Sequence, residues 1–317
     1  MPMRTPSPTV QPPVEQRAGP TPDTALPAGS NGSGLGSTLP GGLSETDLPS
    51  VSDTDGTIFF NRPLGAPAEG RSSTGLSPAE IRQLNEQFDR QPTEEILAWA
   101  WERLGPRAAI GTSFQGAGLV MIQLAREHQL PFPVFTLDTG LLFPETVALQ
   151  KRLEDFFGFP IESLKPDLTV EEQADINGPE LWNRNPDLCC TIRKVLPLRD
   201  KLHNLDCWIT GLRRQQSHTR AGIGIIELYA FDESAGRDII KLNPMANWTR
   251  EGVWEYIRGH KIPYNPLHDR GYHSIGCYPC TRQTGNGQSE RAGRWIGFNK
   301  VECGIHTFMP KKVDFQI

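Results

Sequence analysis

Five of the six cysteines in this 317-residue chain stand at spacings that chemistry can use. Cys277-Tyr278-Pro279-Cys280 is a CxxC, and Cys189-Cys190 is an adjacent pair far upstream. Together they offer four thiolates in two clusters, the ligand count of an iron-sulfur or zinc centre. Adjacent cysteines make an awkward disulfide because neighbouring Cα atoms lie only about 3.8 Å apart. Two neighbouring thiolates reach two corners of one iron cluster more readily. Cys303 lies outside both clusters, is followed by the flexible Gly304 and stands three residues before His306. That leaves it as the candidate nucleophile, in a reductase working by thiol chemistry beside a metal cluster. Cys207, in the apolar run Cys207-Trp208-Ile209, reads instead as a core residue.

The elements that must position these thiols follow from composition and periodicity. Before Leu76 fall 12 of the 28 prolines and 11 of the 31 glycines, so residues 1–74 cannot bury enough apolar surface to offset the entropy of ordering them. They read as a disordered tail, and residues 75–317 as a single α/β body. The tail holds 7 acidic and 4 basic residues of a chain whose net charge is -5, so the body is close to neutral and gives no reason to expect nucleic acid. With no secretory h-region and no membrane-length apolar run, the expected location is the cytoplasm. In that reducing compartment the cysteines argue for metal or catalysis rather than disulfides.

Ser77-Pro78-Ala79-Glu80 is a capping-box signature that opens a helix to about Asp89. A second helix is expected over 93–104, stopping at Gly105-Pro106. Strands at 108–112, 134–137, 161–164 and 207–211 alternate with helices at 116–127 and 144–157, and helical spacing runs from Cys189 through Val195, Leu198 and Leu202. This alternation predicts right-handed crossovers and a mainly parallel sheet with helices on both faces. A hairpin over 225–231 and 238–242 and a helix ending at Arg258 follow. Residues 264–306, rich in Gly, His, Arg and Cys and poor in periodicity, read as a site-forming segment.

A parallel sheet binds ligands at the carboxyl ends of its strands, and three features sit there. The turn Gly111-Thr112-Ser113-Phe114-Gln115-Gly116-Ala117-Gly118 can present backbone N–H groups to an anion. Leu137-Asp138-Thr139-Gly140 ends the second strand. Thr210 to Ser217 carries Arg213 and Arg214, whose guanidinium forks suit phosphate or sulfate. Lys194 brings a further cation close to the cysteine pair.

Taken together, the Cys-Cys-x-x-Arg-Lys run at 189–194, GLRRxQS at 211–217, KLNPxxxWT at 241–249, IPYNPLHDRGYxSIGCxPCT at 262–281 and ECGIH at 302–306 resemble the assimilatory adenylyl-sulfate reductase family. That family lies within the larger phosphoadenylyl-sulfate reductase group of adenine-nucleotide α-hydrolase-like, Rossmann-like folds. Its members usually carry ECGLH, so Ile305 is a departure. The resemblance implies a 4Fe-4S cluster on Cys189, Cys190, Cys277 and Cys280. It also implies attack by Cys303 on the sulfur of adenosine 5'-phosphosulfate, expulsion of AMP, and release of sulfite from the resulting thiosulfonate by thioredoxin. Ser113, Leu137 and Thr139 are then expected to hold the nucleotide, and Lys194, Arg213, Arg214, Arg291, Arg294 and His306 to serve its phosphosulfate. A free thiol, with a pKa of about 8.5, is only slightly ionised at neutral pH; Arg291, Arg294 and His306 are expected to raise the thiolate fraction of Cys303. Since the sequence ends soon after His306, the thioredoxin is expected to be a separate protein. A homo-oligomer is left open.

Other readings weigh less. A reductase for the 3'-phosphorylated nucleotide typically lacks both cysteine pairs. A thioredoxin-like dithiol enzyme needs its CxxC at a helix start directly after a strand, and His273-Ser274-Ile275-Gly276 does not look like one. A non-catalytic iron-sulfur protein leaves Cys303 unexplained. An ATP-dependent adenylyltransferase or tRNA-thiolation enzyme needs a pyrophosphate loop that residues 111–118 do not form.

Overall fold

The computed structural model describes residues 74–232, 237–285 and 287–306, together with two short strands, Ser50–Val51 (β1) and Ile58–Phe59 (β2), that pair antiparallel. These two strands belong to a separate unit, Met1–Gly65. Otherwise the expected disordered tail lies outside the described residues.

In the body, Pro78–Phe88 (α1) starts on the expected capping box, with Ser77 and Glu80 each accepting from the other's backbone N–H. Thr93–Leu104 (α2) follows. Ala108–Thr112 (β3), Gly116–Glu127 (α3), Val134–Leu137 (β4), Pro144–Phe157 (α4) and Glu162–Leu164 (β5) then alternate as the hydrophobic runs predict. Val170–Asn177 (α5) and the one-turn Leu181–Arg184 (α6) were not foreseen, although Thr169 and Glu172 form a second capping box. Pro186–Cys190 (α7), a π-helical turn at Thr191–Val195 and Leu196–Leu202 (α8) make one continuous helical run. Cys207–Thr210 (β6), the hairpin Ile226–Asp232 (β7) and Arg237–Leu242 (β8), and Arg250–Gly259 (α9) complete the set.

The sheet order is β5-β4-β3-β6-β8-β7, parallel throughout except for the β7–β8 hairpin. Successive side chains along a strand point to opposite faces, and the two cores divide accordingly. Ala108, Ile110, Val134, Cys207, Ile209, Ile240 and Leu242 pack with α1–α4 and α9, whereas Ala109, Phe135, Trp208 and Ile239 pack with Leu198 and Leu202 of α8. Helices therefore cover both faces, as expected, and Cys207 is fully buried in the larger core. Among the described residues no helix is long and apolar enough to cross a membrane.

Candidate active site

The carboxyl ends of β3, β4 and β6 open into one cavity, lined by Ser113, Leu137, Thr139, Trp208, Lys194, Arg291, Arg294, Cys303 and His306, with Cys277 at its edge. Close approach is required at its floor. A Cβ on Gly111 would stand 2.5 Å from the Trp208 indole nitrogen and 2.9 Å from the Phe135 ring, so only glycine lets both rings close there. One on Gly211 would meet the backbone nitrogen of Gly118 at 3.0 Å, which brings the end of β6 against the first turn of α3.

The two cysteine clusters meet on one side of this cavity. Cys189 and Cys190 end α7, and Cys277 to Cys280 form a 3-10 turn tied to the loop after β4 by the Leu142–Cys277 bridge and by Tyr278 N–H donating to Leu141 O at 2.8 Å. Leu141 and Leu181 pack against Cys189 and Cys277. Thr139 Oγ1 stands 3.2 Å from Cys277 Sγ, and Gln173 Nε2 donates toward Cys189 Sγ at 3.9 Å. Burial first, and then the neighbouring thiols of Cys190, Cys277 and Cys280, push Cys189 up to about 12. Burial likewise pushes Cys190 up to about 11 against the opposing pull of Lys194. Four thiols held this close resist ionising together unless a cation joins them. Among the described residues no three His, Cys, Asp or Glu side chains converge on a single-ion position. These four cysteines are the residues that could hold a metal centre.

The π-helical turn sets the next layer. It leaves Arg193 and Lys194 both buried. Arg193 donates to the carbonyls of Thr139, Thr169 and Leu168 and to Gln173 Oε1, so it pins the loop after β4 to the start of α5. Burial opposes the charge on Lys194, yet Cys277, Cys190 and Cys303 around it, as thiolates, hold its ammonium above the ordinary lysine value. Lys194 thus stands between the cysteine clusters and the candidate nucleophile.

Cys303 lines the same cavity and is partly exposed. Burial opposes its ionisation, but Lys194, the Ile305 N–H, Arg294 and Arg291 together hold the thiol below its ordinary value. The expected contribution of His306 differs. Burial, followed by Lys241, Arg220 and Arg291, holds its imidazole well below the usual histidine range, and its ring stacks on Trp208 at 5.1 Å and 7°. His306 is therefore a neutral, stacked group at neutral pH, and Lys194 supplies the charge expected of it.

Arg213 and Arg214 stand outside the cavity. Arg213 is buried in an ion pair with Glu290 at 2.6 Å, and Arg214 reaches the other way to Asp89 at 2.9 Å and to Asn247. Each guanidinium is spent on tertiary structure that the bare Arg-Arg pair does not reveal.

Sequence reasoning missed Trp295, Arg220 and the role of Glu302. Trp295 is buried with a left-handed backbone, φ 48°, and its ring lies under Arg294 at 4.4 Å, Lys300 at 5.5 Å and Arg291 at 5.6 Å. Arg220 also lines the cavity and grips Glu302. Spacing offered no signal for that pair, which lies 82 positions apart, though Glu302 sits beside Cys303 in the quoted ECGIH run. Four buried polar atoms on the cavity wall have no protein partner among the described residues: Arg291 Nε, Arg294 Nε, His306 Nδ1 and Trp208 Nε1. Unsatisfied groups are rare in native proteins and mark a place for a polar ligand.

A parallel sheet whose carboxyl ends meet a basic pocket and a single activated thiol defines a nucleotide-binding reductase architecture, and similarity agrees. The model of the phosphoadenosine phosphosulfate reductase domain matches residues 107–283, more than half of the chain, which belongs to that family. Within it, the chain is 41% identical to the adenosine 5'-phosphosulfate reductase of Salinibacter ruber, over 76% of this chain and 94% of that protein. It is 40% identical to adenosine 5'-phosphosulfate reductase 2 of Bacillus subtilis, over 70% of this chain and 95% of that one. The crystal structure of the phosphoadenylyl-sulfate reductase of Candida auris in a phosphate complex superposes with a TM-score of 0.58 at 32% identity, covering 67% of this chain and all of that one.

Proposed function

We propose that this protein reduces adenosine 5'-phosphosulfate to sulfite and AMP. The observation that carries the reading is the convergence of Cys303, Lys194, Arg291 and Arg294 on one cavity at the carboxyl ends of the strands. The backbone ends at Ser113, Leu137 and Thr139 are suited to hold the nucleoside, as the ends of parallel strands commonly do. Lys194, Arg291 and Arg294 then face the phosphosulfate, whose oxyanions they pair while favouring the Cys303 thiolate.

The Cys303 thiolate attacks the sulfate sulfur. A sulfur–sulfur bond forms, the bond from that sulfur to the bridging oxygen breaks, and the electron pair leaves on the AMP phosphate. AMP is a good leaving group, so no general acid is needed, in keeping with a neutral, stacked His306. The enzyme is left with an S-sulfonate on Cys303. A separate dithiol protein, thioredoxin, then attacks Cys303 Sγ, expels sulfite and closes its own disulfide through the mixed disulfide.

Cys189, Cys190, Cys277 and Cys280 fit a 4Fe-4S cluster. Burial first, with neighbouring thiols adding to it, holds Cys189, Cys190 and Cys280 above the ordinary thiol value, and a bound cation would favour their thiolates. When bound, the cluster supplies a covalent tie between the α7 end and the Cys277 turn; no step above passes through it.

The two cysteine pairs favour the nucleotide without a 3'-phosphate, and the relatives of about 40% identity carry that substrate in their names. The test is anaerobic purification with iron and sulfide quantified, followed by sulfite release from both nucleotides. About four irons per chain, a preference for the unphosphorylated form and a sulfonate adduct at Cys303 by mass spectrometry are expected. An adduct on another residue, or protein free of iron when shielded from oxygen, refutes the reading.

A further inference from the structure

Cys303 lies in a stretch, residues 301–306, without regular secondary structure, so its position depends on side-chain attachments. Most of them converge on one carboxylate. Glu302 accepts from Arg220 Nε at 2.9 Å and Nη2 at 2.7 Å, from Arg291 Nη2 at 3.2 Å and from Thr219 Oγ1 at 3.1 Å. The side chains of Glu302 and Arg220 are each only 9% exposed. Arg220 is itself oriented by Gln216 Oε1, which also accepts from the Arg213 backbone N–H at 3.1 Å. Other ties to the segment hold its flanks: Arg291 Nη2 donates to Val301 O at 3.0 Å, Tyr229 donates to Ile305 O at a long 3.4 Å, and His306 stacks on Trp208. A two-pronged guanidinium–carboxylate pair fixes direction as well as distance, and Gly304, at φ 88°, lets the chain turn directly after the thiol.

We infer that Glu302 is a positioning residue for sulfonate transfer: gripped by Arg220, it sets the Cys303 sulfur over the cavity and takes no part in bond making or breaking. The inference rests on the proposed reaction but needs only geometry from it. A misplacement of about 1 Å at a reacting atom costs on the order of 100-fold in rate, while the nucleoside end of the cavity, built from β3 and β4, stays as it was.

The test uses the iron-loaded holoprotein and two variants, Glu302→Gln and Arg220→Gln. Three quantities are read without any reductant: the single-turnover rate of the Cys303 adduct from adenosine 5'-phosphosulfate, the affinity for AMP, and the rate of alkylation of Cys303 by a small neutral haloacetamide. Transfer is expected to fall about 100-fold in both variants and no further in the double variant. Alkylation should stay within about threefold, because a small reagent does not need the sulfur in one place, and AMP affinity should change far less than transfer. Amide hydrogen exchange over residues 301–306 should quicken at least tenfold. Wild-type transfer in Glu302→Gln, or transfer and alkylation falling together, overturns the inference, the latter because it makes Glu302 a control on thiol reactivity. If the wild-type protein itself forms no adduct, the reaction falls and the exchange measurement alone decides whether Glu302 anchors the segment.

Discussion

Gly276 offers a way to move one cation of the site without touching its charge. The glycine precedes Cys277, and the Arg294 guanidinium lies directly against it. A Cβ built there would stand 2.5 Å from Arg294 Cζ and 2.9 Å from Nη1, closer than real Cβ contacts come. The obstacle is the far end of a flexible side chain, so in Gly276→Ala the guanidinium should swing away and the backbone should stay. What is lost is one charged hydrogen-bonding group aimed at the phosphosulfate, about 1.5–3 kcal/mol. Taking about 2 kcal/mol, and tenfold for each 1.36 kcal/mol, kcat/KM for adenosine 5'-phosphosulfate should fall about 30-fold. Iron content should be unchanged, since Cys277 keeps its bridge to Leu142. The assay is sulfite release at subsaturating substrate for the wild type, Gly276→Ala, Arg294→Ala and the double variant. Because both single changes remove the same contact, the double variant should match Arg294→Ala rather than multiply the two losses. Multiplicative losses, or kcat/KM within twofold of wild type in Gly276→Ala, would refute the reasoning.

Lys194→Met removes the cation that most favours the Cys303 thiolate, so the thiol pKa rises, and the midpoint of a pH profile of Cys303 alkylation should move to higher pH; an unmoved midpoint would assign that influence to the arginines alone. Cys280→Ser should lose iron and colour on purification, while Cys207→Ala, whose thiol is buried in the larger core, should keep both and retain turnover; iron analysis separates them. Arg193→Met strips donors from the backbone carbonyls of Thr139, Leu168 and Thr169 and from Gln173 Oε1 and should cost about 2 kcal/mol of stability, read by denaturant unfolding, with poorer iron retention because the loop after β4 loses its tie to α5.

The alternation of buried strands and amphipathic helices was legible because each element is local: the capping box at Ser77 and the run from Ala108 to Thr112 carry their own signals. The cysteines were legible by type and spacing. What sequence could not supply was the direction of long side chains. Arg213 and Arg214 look alike in a chain, yet one is buried on Glu290, 77 positions away, and the other turns to Asp89, 125 positions back. His306 was misjudged for a related reason. Its charge depends on burial against Trp208 and on cations from β8 and the Arg220 turn, none of which is near it in sequence. The start of α5 was available in Thr169 and Glu172 but lay among residues too polar to suggest a packed helix.

Four cations, Lys194, Arg220, Arg291 and Arg294, ring the cavity, and one carboxylate, Glu302, sits among them, which leaves an excess of three positive charges. A phosphosulfate dianion and a thiolate together balance that excess. So do the products, since AMP is close to a dianion at neutral pH and the sulfonated cysteine carries a single negative charge. Sulfonate therefore changes hands with the charge held in the cavity the same before and after, and no ion need be taken up or given off. Departure of AMP is the step that uncovers positive charge, and added salt, by screening it, should speed product release at saturating substrate while weakening substrate capture.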